Sequence, residues 1–352
     1  MKKTLYIASA LAFMACSSSK EASKNDDAKI DQAAKYASTI TSKELSKHLY
    51  TYASDEFEGR NTGEPGQKMA VEYLKNFYVT EGIVSPLGGD DYFQEVPAEF
   101  LNKRKRETPL KASENVVAFI KGTEKPDEIV VISAHLDHEG IKDGKIYNGA
   151  DDDGSGTVAI LEIAQAFQRA AEAGKGPKRS VLFLHVTGEE KGLLGSKYYT
   201  DIDPLFPLAN TVCNLNIDMV GRVDDRHKEN PNFVYLIGSD KLSTELHAVS
   251  EEMNTKYTNI TLDYTYNDEN DPNRFYYRSD HYNFAKNNVP IIFYFNGTHA
   301  DYHKPSDTAD KINYELLEKR TRLVFHTAWE VANKETRIIA DKAEPKEVEI
   351  VK

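Results

Sequence analysis

Five short stretches of this 352-residue chain carry side chains that can hold a metal ion or move a proton. "SAHLDH" supplies His135 and Asp137, and "NGADDDGSG" supplies Asp151, Asp152 and Asp153. "TGEE" supplies Glu189 and Glu190, "NIDM" supplies Asp218, and "DYHKPSDT" supplies His303. Two histidines with several carboxylates suit zinc, with Co2+ or Mn2+ as possible substitutes. Three ligands per ion leave positions for water and substrate. Each stretch alone has a plainer reading. Consecutive aspartates usually form a solvated turn, and adjacent glutamates at a helix start answer the helix dipole. The elements that carry them decide between the readings.

Those elements alternate. "ENVVAFIKG" and "DEIVVISAHLDH" read as β-branched strands joined by a short polar hairpin, and "KRSVLFLHVTG", "TVCNLNIDMVG" and "VPIIFYFNG" as buried strands. "GSGTVAILEIAQAFQRAAEAGKG" reads as a helix that starts just after the aspartates and stops at glycine. Further helices are expected in "ITSKELSKHLYTYASDEF", "GQKMAVEYLKNFYVTEG", "EEKGLLGSKYYTD" and "INYELLEKRTRLVFHTAWEVANKE". The pattern predicts an α/β three-layer sandwich, with helices flanking a mixed, largely parallel central sheet. In such sheets ligands gather beyond the carboxyl ends of the strands. The candidate residues lie at those ends. The stretch from about Val223 to Asn273 shows no clear pattern and reads as surface excursions.

The formal charge of −12 argues against nucleic acid or an anionic membrane surface as a partner. With only Cys16 and Cys213, neither a disulfide framework nor a cysteine zinc site is available. "MKKTLYIASALAFMACSSSK" pairs two lysines with an apolar run too short to span a bilayer, so residues 1–15 read as a signal peptide. The small residue before Cys16 resembles a bacterial lipobox, although Phe13 stands where leucine is usual. Residues 16–34 are then a lipidated N-terminus and flexible tether, residues 35–338 a single catalytic domain, and residues 339–352 a polar tail. The expected location is the cell envelope of a bacterium, with contact to a membrane only through a lipid on Cys16. The alternative is a secreted or periplasmic protein.

"SAHLDH", "NGADDDGSG", "TGEEKGLLGS", "NIDMVGR", "RSDHYNF" and "DYHKPSDT" occur in the order seen in the di-zinc aminopeptidases. That family of zinc exopeptidases includes bacterial leucyl aminopeptidases, glutamate carboxypeptidases and glutaminyl cyclases, and the resemblance runs from about residue 35 to 335. It implies two zinc ions per chain. His135 and Asp218 would bind one, Glu190 and His303 the other, and Asp152 would bridge two dications about 3.5–4 Å apart. Asp151 and Asp153 are turn and helix-start residues in this reading. Glu189 would be the general base, taking a proton from the attacking water and passing it to the leaving amine. Asp137 would orient His135. Tyr276 stands where some relatives place a tyrosine that stabilises the oxyanion. Tyr277 competes for that role, and a packing tyrosine is the alternative. Asp280 and His281 would support the pocket or belong to a loop. His185 and Cys213 read as core residues, and His138 and His299, which flank the motifs, are assigned to no metal.

The expected function is a metal-dependent exopeptidase acting on peptides, an aminopeptidase releasing N-terminal amino acids. A carboxypeptidase or dipeptidase would need a cationic pocket, for which Arg222, Arg274 and Arg278 are candidates. Glutaminyl cyclase works with one zinc, and non-catalytic relatives lack parts of the metal site.

Overall fold

In the computed structural model residues 31–343 are described, so the signal, Cys16 and the tether as far as residue 30 lie outside the described residues. The end of the expected tether is instead the start of a helix at Gln32, with Ala33 buried. The strands are β1 (Phe93–Val96), β2 (Ser113–Ile120), β3 (Lys125–His135), β4 (Gly140–Lys142), β5 (Lys145–Tyr147), β6 (Arg179–Val186), β7 (Thr211–Ile217), β8 (Phe233–Ile237), β9 (Thr261–Asp263) and β10 (Ile291–Phe295). β4 and β5 pair only with each other; the rest form one sheet in the order β1-β2-β6-β3-β7-β10-β8-β9. Its centre, β6, β3, β7 and β10, is parallel. Antiparallel pairs join β1 to β2, β2 to β6 and β8 to β10. This is the mixed, largely parallel sheet that the alternation predicts.

The helices are α1 (Gln32–Ala37), α2 (Ser42–Tyr52), α3 (Pro65–Thr80), α4 (Ala98–Leu101), α5 (Gly156–Glu172), α6 (Leu194–Asp201), α7 (Thr244–Met253), α8 (His281–Ala285) and α9 (Tyr314–Asn333). Local chemistry sets several of their starts. Thr41 Oγ1 accepts from the Glu44 N–H at 3.2 Å to cap α2, and Asn313 Oδ1 accepts from the Leu316 N–H at 3.1 Å to cap α9. Helices cover both faces of the sheet. Val130, Ile132 and Ala134 of β3 pack in one core with residues of α5 and α9. The alternate residues Ile129 and Val131 pack in a second core with Tyr199 of α6 and Phe284 of α8. Burial on both faces is why these strands read as unbroken apolar runs.

Two expectations about connections fail. β2 and β3 are not a hairpin, because β6 lies between them, antiparallel to β2 and parallel to β3. Nor is the stretch after Val223 only surface loop. It contributes the fully buried β8, the helix α7 and the strand β9, which lies parallel to β8 at the sheet edge. The polar tail also begins docked, with the Thr244 N–H donating to Asp341 Oδ1 at 2.8 Å.

The order of strands positions the site. β3 is followed in the chain by β6 on one side, while β7 lies on its other side. Strand order therefore reverses at β3, and a crevice opens at its carboxyl end. His135 is the last residue of that strand.

One buried charge lies away from this crevice. Glu162 on α5 is 1% exposed and faces the His48 ring, with Nε2 at 3.7 Å. Burial first, and then the charge of Glu44, pushes its carboxyl up to about 8 from an ordinary 4.5. The group binds its proton more tightly folded than unfolded. Its contribution to stability is therefore complete below pH 4.5 and is lost as pH rises towards 8. Glu162→Gln, neutral throughout, should gain over the native chain across that window. Each tenfold change in proton affinity is worth about 1.4 kcal/mol, so the rise from 4.5 to about 8 sets an upper limit of about 4–5 kcal/mol on the gain at pH 8. Thermal melts of both proteins at pH 5 and pH 8 measure it, and an equal difference at the two pH values would refute the assignment.

Candidate functional site

Strand ends bring the candidate residues together. His135 closes β3, Glu189 and Glu190 follow β6, Asp218 follows β7, and His303 lies in the loop after β10. Between β5 and α5 the chain makes a tight turn over Ala150–Ser155, with a cis peptide between Asp152 and Asp153. The turn begins at Gly149, whose φ of 54° is the left-handed region, and a Cβ there would collide with the Asp152 carbonyl and the His138 ring.

None of the three aspartates is a solvated turn residue. Asp151 and Asp153 are fully buried and Asp152 is 3% exposed. Asp151 Oδ1 accepts from the Gly221 N–H at 2.7 Å, and its Oδ2 accepts from Asn296 Nδ2 at 3.0 Å and lies 3.2 Å from His299 Nε2. Asp153 accepts from the backbone N–H groups of Gly156, Met219 and His135. These two carboxylates tie the strand ends and the start of α5 to the turn. They hold Asp152 in place, facing His135, His138 and His303.

Around Asp152 the atoms divide by oxygen. Oδ1 lies 3.2 Å from His135 Nε2, which is 3.7 Å from Asp218 Oδ1. Oδ2 lies 3.0 Å from His303 Nε2, which is 3.4 Å from Glu190 Oε2. Both groups expected from the sequence are therefore assembled. Burial alone would raise the Asp152 carboxyl, but His135, His138 and His303 outweigh it and hold it well below the usual carboxylate range. Burial would likewise depress His303, and Asp152 and Glu190 instead raise it to about 10. The cluster favours positive charge.

A cation also answers the hydrogen-bond inventory. His135 Nε2, Asp152 Oδ2 and Glu190 Oε1 are buried without an aligned hydrogen-bond partner, which is rare for such atoms. His135, Asp152 and Asp218 offer ligand atoms within 4.8 Å of one another, as do His138, Asp152 and Glu190, and Glu139, Glu190 and His303. Imidazole nitrogens and carboxylate oxygens at these separations fit a zinc-type ion.

Asp137 acts on both sides of the site. His135 Nδ1 meets its backbone carbonyl at 2.9 Å. Its carboxylate accepts from Thr62 Oγ1 at 2.7 Å and from the Glu189 N–H at 3.1 Å. The residue thus orients His135 as expected, but through its main chain, while its side chain anchors Glu189. Burial, with Glu190, Asp218 and Asp280 adding to it against His135, holds the Glu189 carboxyl well above its ordinary range.

A small cleft opens beside these groups. Asp152, Glu189, Asp218 and His303 line it together with Arg278 and Tyr302. Tyr276 does not line it. Its half-buried ring packs where a Cβ on Gly238 would touch it, with Lys241 over its face. The oxyanion role read for Tyr276 is therefore not supported; the tyrosine on the cleft wall is Tyr302, whose hydroxyl accepts from Arg278 Nη2 at 3.3 Å. Tyr277 is exposed, with the Arg274 guanidinium over its ring. Asp280, buried and pushed up to about 7 by burial, accepts from Ser196 Oγ; His281 meets the Tyr276 carbonyl. Both support the wall from behind. His185 is a core residue against Tyr78, and Cys213 is buried in β7.

Sequence reasoning missed Arg60. It is fully buried, and its guanidinium donates to the carbonyls of Leu136, Tyr52, Asn148 and Gly149 at 2.7–3.2 Å. It joins the end of β3 to the start of the aspartate turn. No local pattern marks this role, since all four partners are main-chain atoms.

The match to known proteins follows the same geometry. Residues 115–328 match peptidase family M28. The chain is 28% identical over 263 residues to leupeptin-inactivating enzyme 1 of Streptomyces exfoliatus, covering 75% of this chain and 50% of that one. It is 30% identical over 227 residues to a probable leucine aminopeptidase of Arthroderma benhamiae, covering 62% and 57%. The chain thus spans about half the length of these relatives. A zinc aminopeptidase from Bacillus subtilis, BSAP, shares the fold with a TM-score of 0.63 at 17% identity, covering 86% of this chain and 99% of that one. With the family match spanning more than half of its length, this chain belongs to peptidase family M28.

Proposed function

We propose that the chain is a zinc-dependent aminopeptidase that holds two ions, one at His135, Asp152 and Asp218 and one at Asp152, Glu190 and His303. The observation that carries this reading is the division of Asp152, one oxygen beside His135 and the other beside His303. Bound there, zinc would activate a water molecule and polarise the scissile carbonyl. Glu189 on the cleft wall accepts the proton of that water as it attacks and delivers it to the leaving amine nitrogen. Met219, Phe275, Phe293 and Phe295 form the apolar side of the cleft and favour an apolar N-terminal side chain. The aminopeptidase names among the relatives support the same activity.

One observation favours a second reading. Arg278 reaches the cleft and can meet a substrate carboxylate, as a carboxypeptidase or dipeptidase requires. The other two candidates are engaged elsewhere: Arg222 pairs with Asp301 at 2.9 Å, and Arg274 lies over Tyr277. A hydrolysis panel separates the readings. Zinc-loaded protein should cleave free-amine leucyl anilide, spare its N-blocked form, and be indifferent to amidation of a peptide C-terminus. Dependence on a free carboxylate overturns the aminopeptidase reading.

The export signal and the lipid on Cys16 are part of this proposal. Among the described residues no helix is long and apolar enough to cross a membrane. Cys16→Ala should release an active protein from the membrane fraction; native protein found wholly in the soluble fraction would overturn lipidation.

A further inference from the structure

We propose that His138 is a fourth ligand of the ion at Asp152, Glu190 and His303, so that the two metal positions differ in kind. This rests on the metal-centre reading above. His138 lies just beyond β3, is fully buried, and presents Nδ1 2.8 Å from Glu190 Oε1 and 3.7 Å from Asp152 Oδ2. Its ring stands edge-on to that of His303, with centroids 5.8 Å apart. The two imidazoles thus approach the same two carboxylates from different directions.

The nature of the close approach separates a ligand from a prop. A histidine that merely steadied Glu190 would aim an N–H along the oxygen lone pair. Here neither His138 Nδ1 nor Glu190 Oε1 has an aligned hydrogen-bond partner, although they are 2.8 Å apart. His135 Nε2 and Asp152 Oδ2 show the same pattern of close, misaligned neighbours. His138, Asp152 and Glu190 also present ligand atoms within 4.8 Å of one another, the spacing of groups that share an ion. His138 belongs to that set.

The consequence is an asymmetric pair. One position has one imidazole and two carboxylates, which leaves room for water and substrate. The other has two imidazoles and two carboxylates, one protein ligand more, and four protein ligands fill a tetrahedral zinc coordination. The second position should fill first and exchange its ion more slowly.

Full-length protein loaded with two equivalents of Co2+, carrying ring-15N histidine, provides the test by proton NMR. Three hyperfine-shifted, exchangeable ring N–H signals are expected, from His135, His138 and His303. Two signals overturn this proposal while leaving the metal centre intact, and none overturns both. His138→Gln adds an independent measurement, because glutamine keeps an N–H donor for Glu190. Zinc titration of the variant should give a first-ion dissociation constant raised by more than about 100-fold, the upper end for losing an outer hydrogen-bond partner. An unchanged first-ion affinity in a variant with a native metal-free melting temperature refutes the ligand role. If the variant does not fold, the signal count in the native protein decides.

Discussion

Glu189→Gln should keep both zinc ions yet lose turnover by at least about 10²–10⁴-fold, the range for a positioned acid–base group. The substitution preserves side-chain volume, and the anchor that places the residue is its own backbone N–H on Asp137 Oδ1, which remains. Only the ability to accept a proton is removed. Binding of substrate analogues should therefore be nearly unchanged, and the loss should fall on turnover. Glu190→Gln should fail differently. Its carboxylate lies among His138, His303 and Asp152, where burial and Asp152 push its carboxyl up and the two imidazoles bring it down to about 2. Weakening that group lowers metal affinity, so activity should return in part when zinc is in excess. Metal content and turnover of both variants decide the matter. Loss of metal by the first and its retention by the second would reverse the two roles.

Asp152→Ala should empty the site more thoroughly than removal of any other single ligand. Its two oxygens face different imidazoles, so one truncation leaves His135 with Asp218 alone and takes from Glu190, His303 and His138 their shared anion. At one zinc per site the variant should lose the ion at His135 and Asp218, hold the other more weakly through Glu190, His303 and His138, and show no measurable turnover. The turn itself should survive, because Asp151 and Asp153 make its cross-links. Elemental analysis against a circular dichroism spectrum separates loss of metal from loss of fold. Two ions retained with native affinity would overturn the shared role of Asp152.

What could be read from the sequence follows from where information is local. His135, Glu190 and Asp218 were legible because each stands at or just beyond the end of a largely apolar stretch, the pattern of a strand buried on both faces. Pairing was not legible. β2 and β3 look like a hairpin because they are consecutive, and nothing near them announces that β6 inserts between them. β8 is only Phe233–Ile237, set among Asn, Asp and Pro residues that read as loop, so its place beside β10 was invisible. Tyr276 failed for a finer reason. Its spacing from Asp280 was right, but which side of the backbone its ring takes depends on the packing of Gly238 and Lys241, far away in the chain. His138 was set aside because it merely flanks a motif, and only the fold brings it to Glu190.

Arg60 bears on where this protein can be cut. The family match begins at residue 115, yet the guanidinium that bolts Leu136 to Asn148 and Gly149 belongs to the segment before it. A chain trimmed to the matched residues 115–328 would keep every proposed metal ligand and still take from the Leu136 and Asn148 carbonyls, at the heart of the site, the donors that Arg60 and Tyr52 supply. Its boundaries as an inheritable unit are therefore wider than its recognisable core. Recombination or truncation that respects only that core should yield a protein with the right residues and no working crevice.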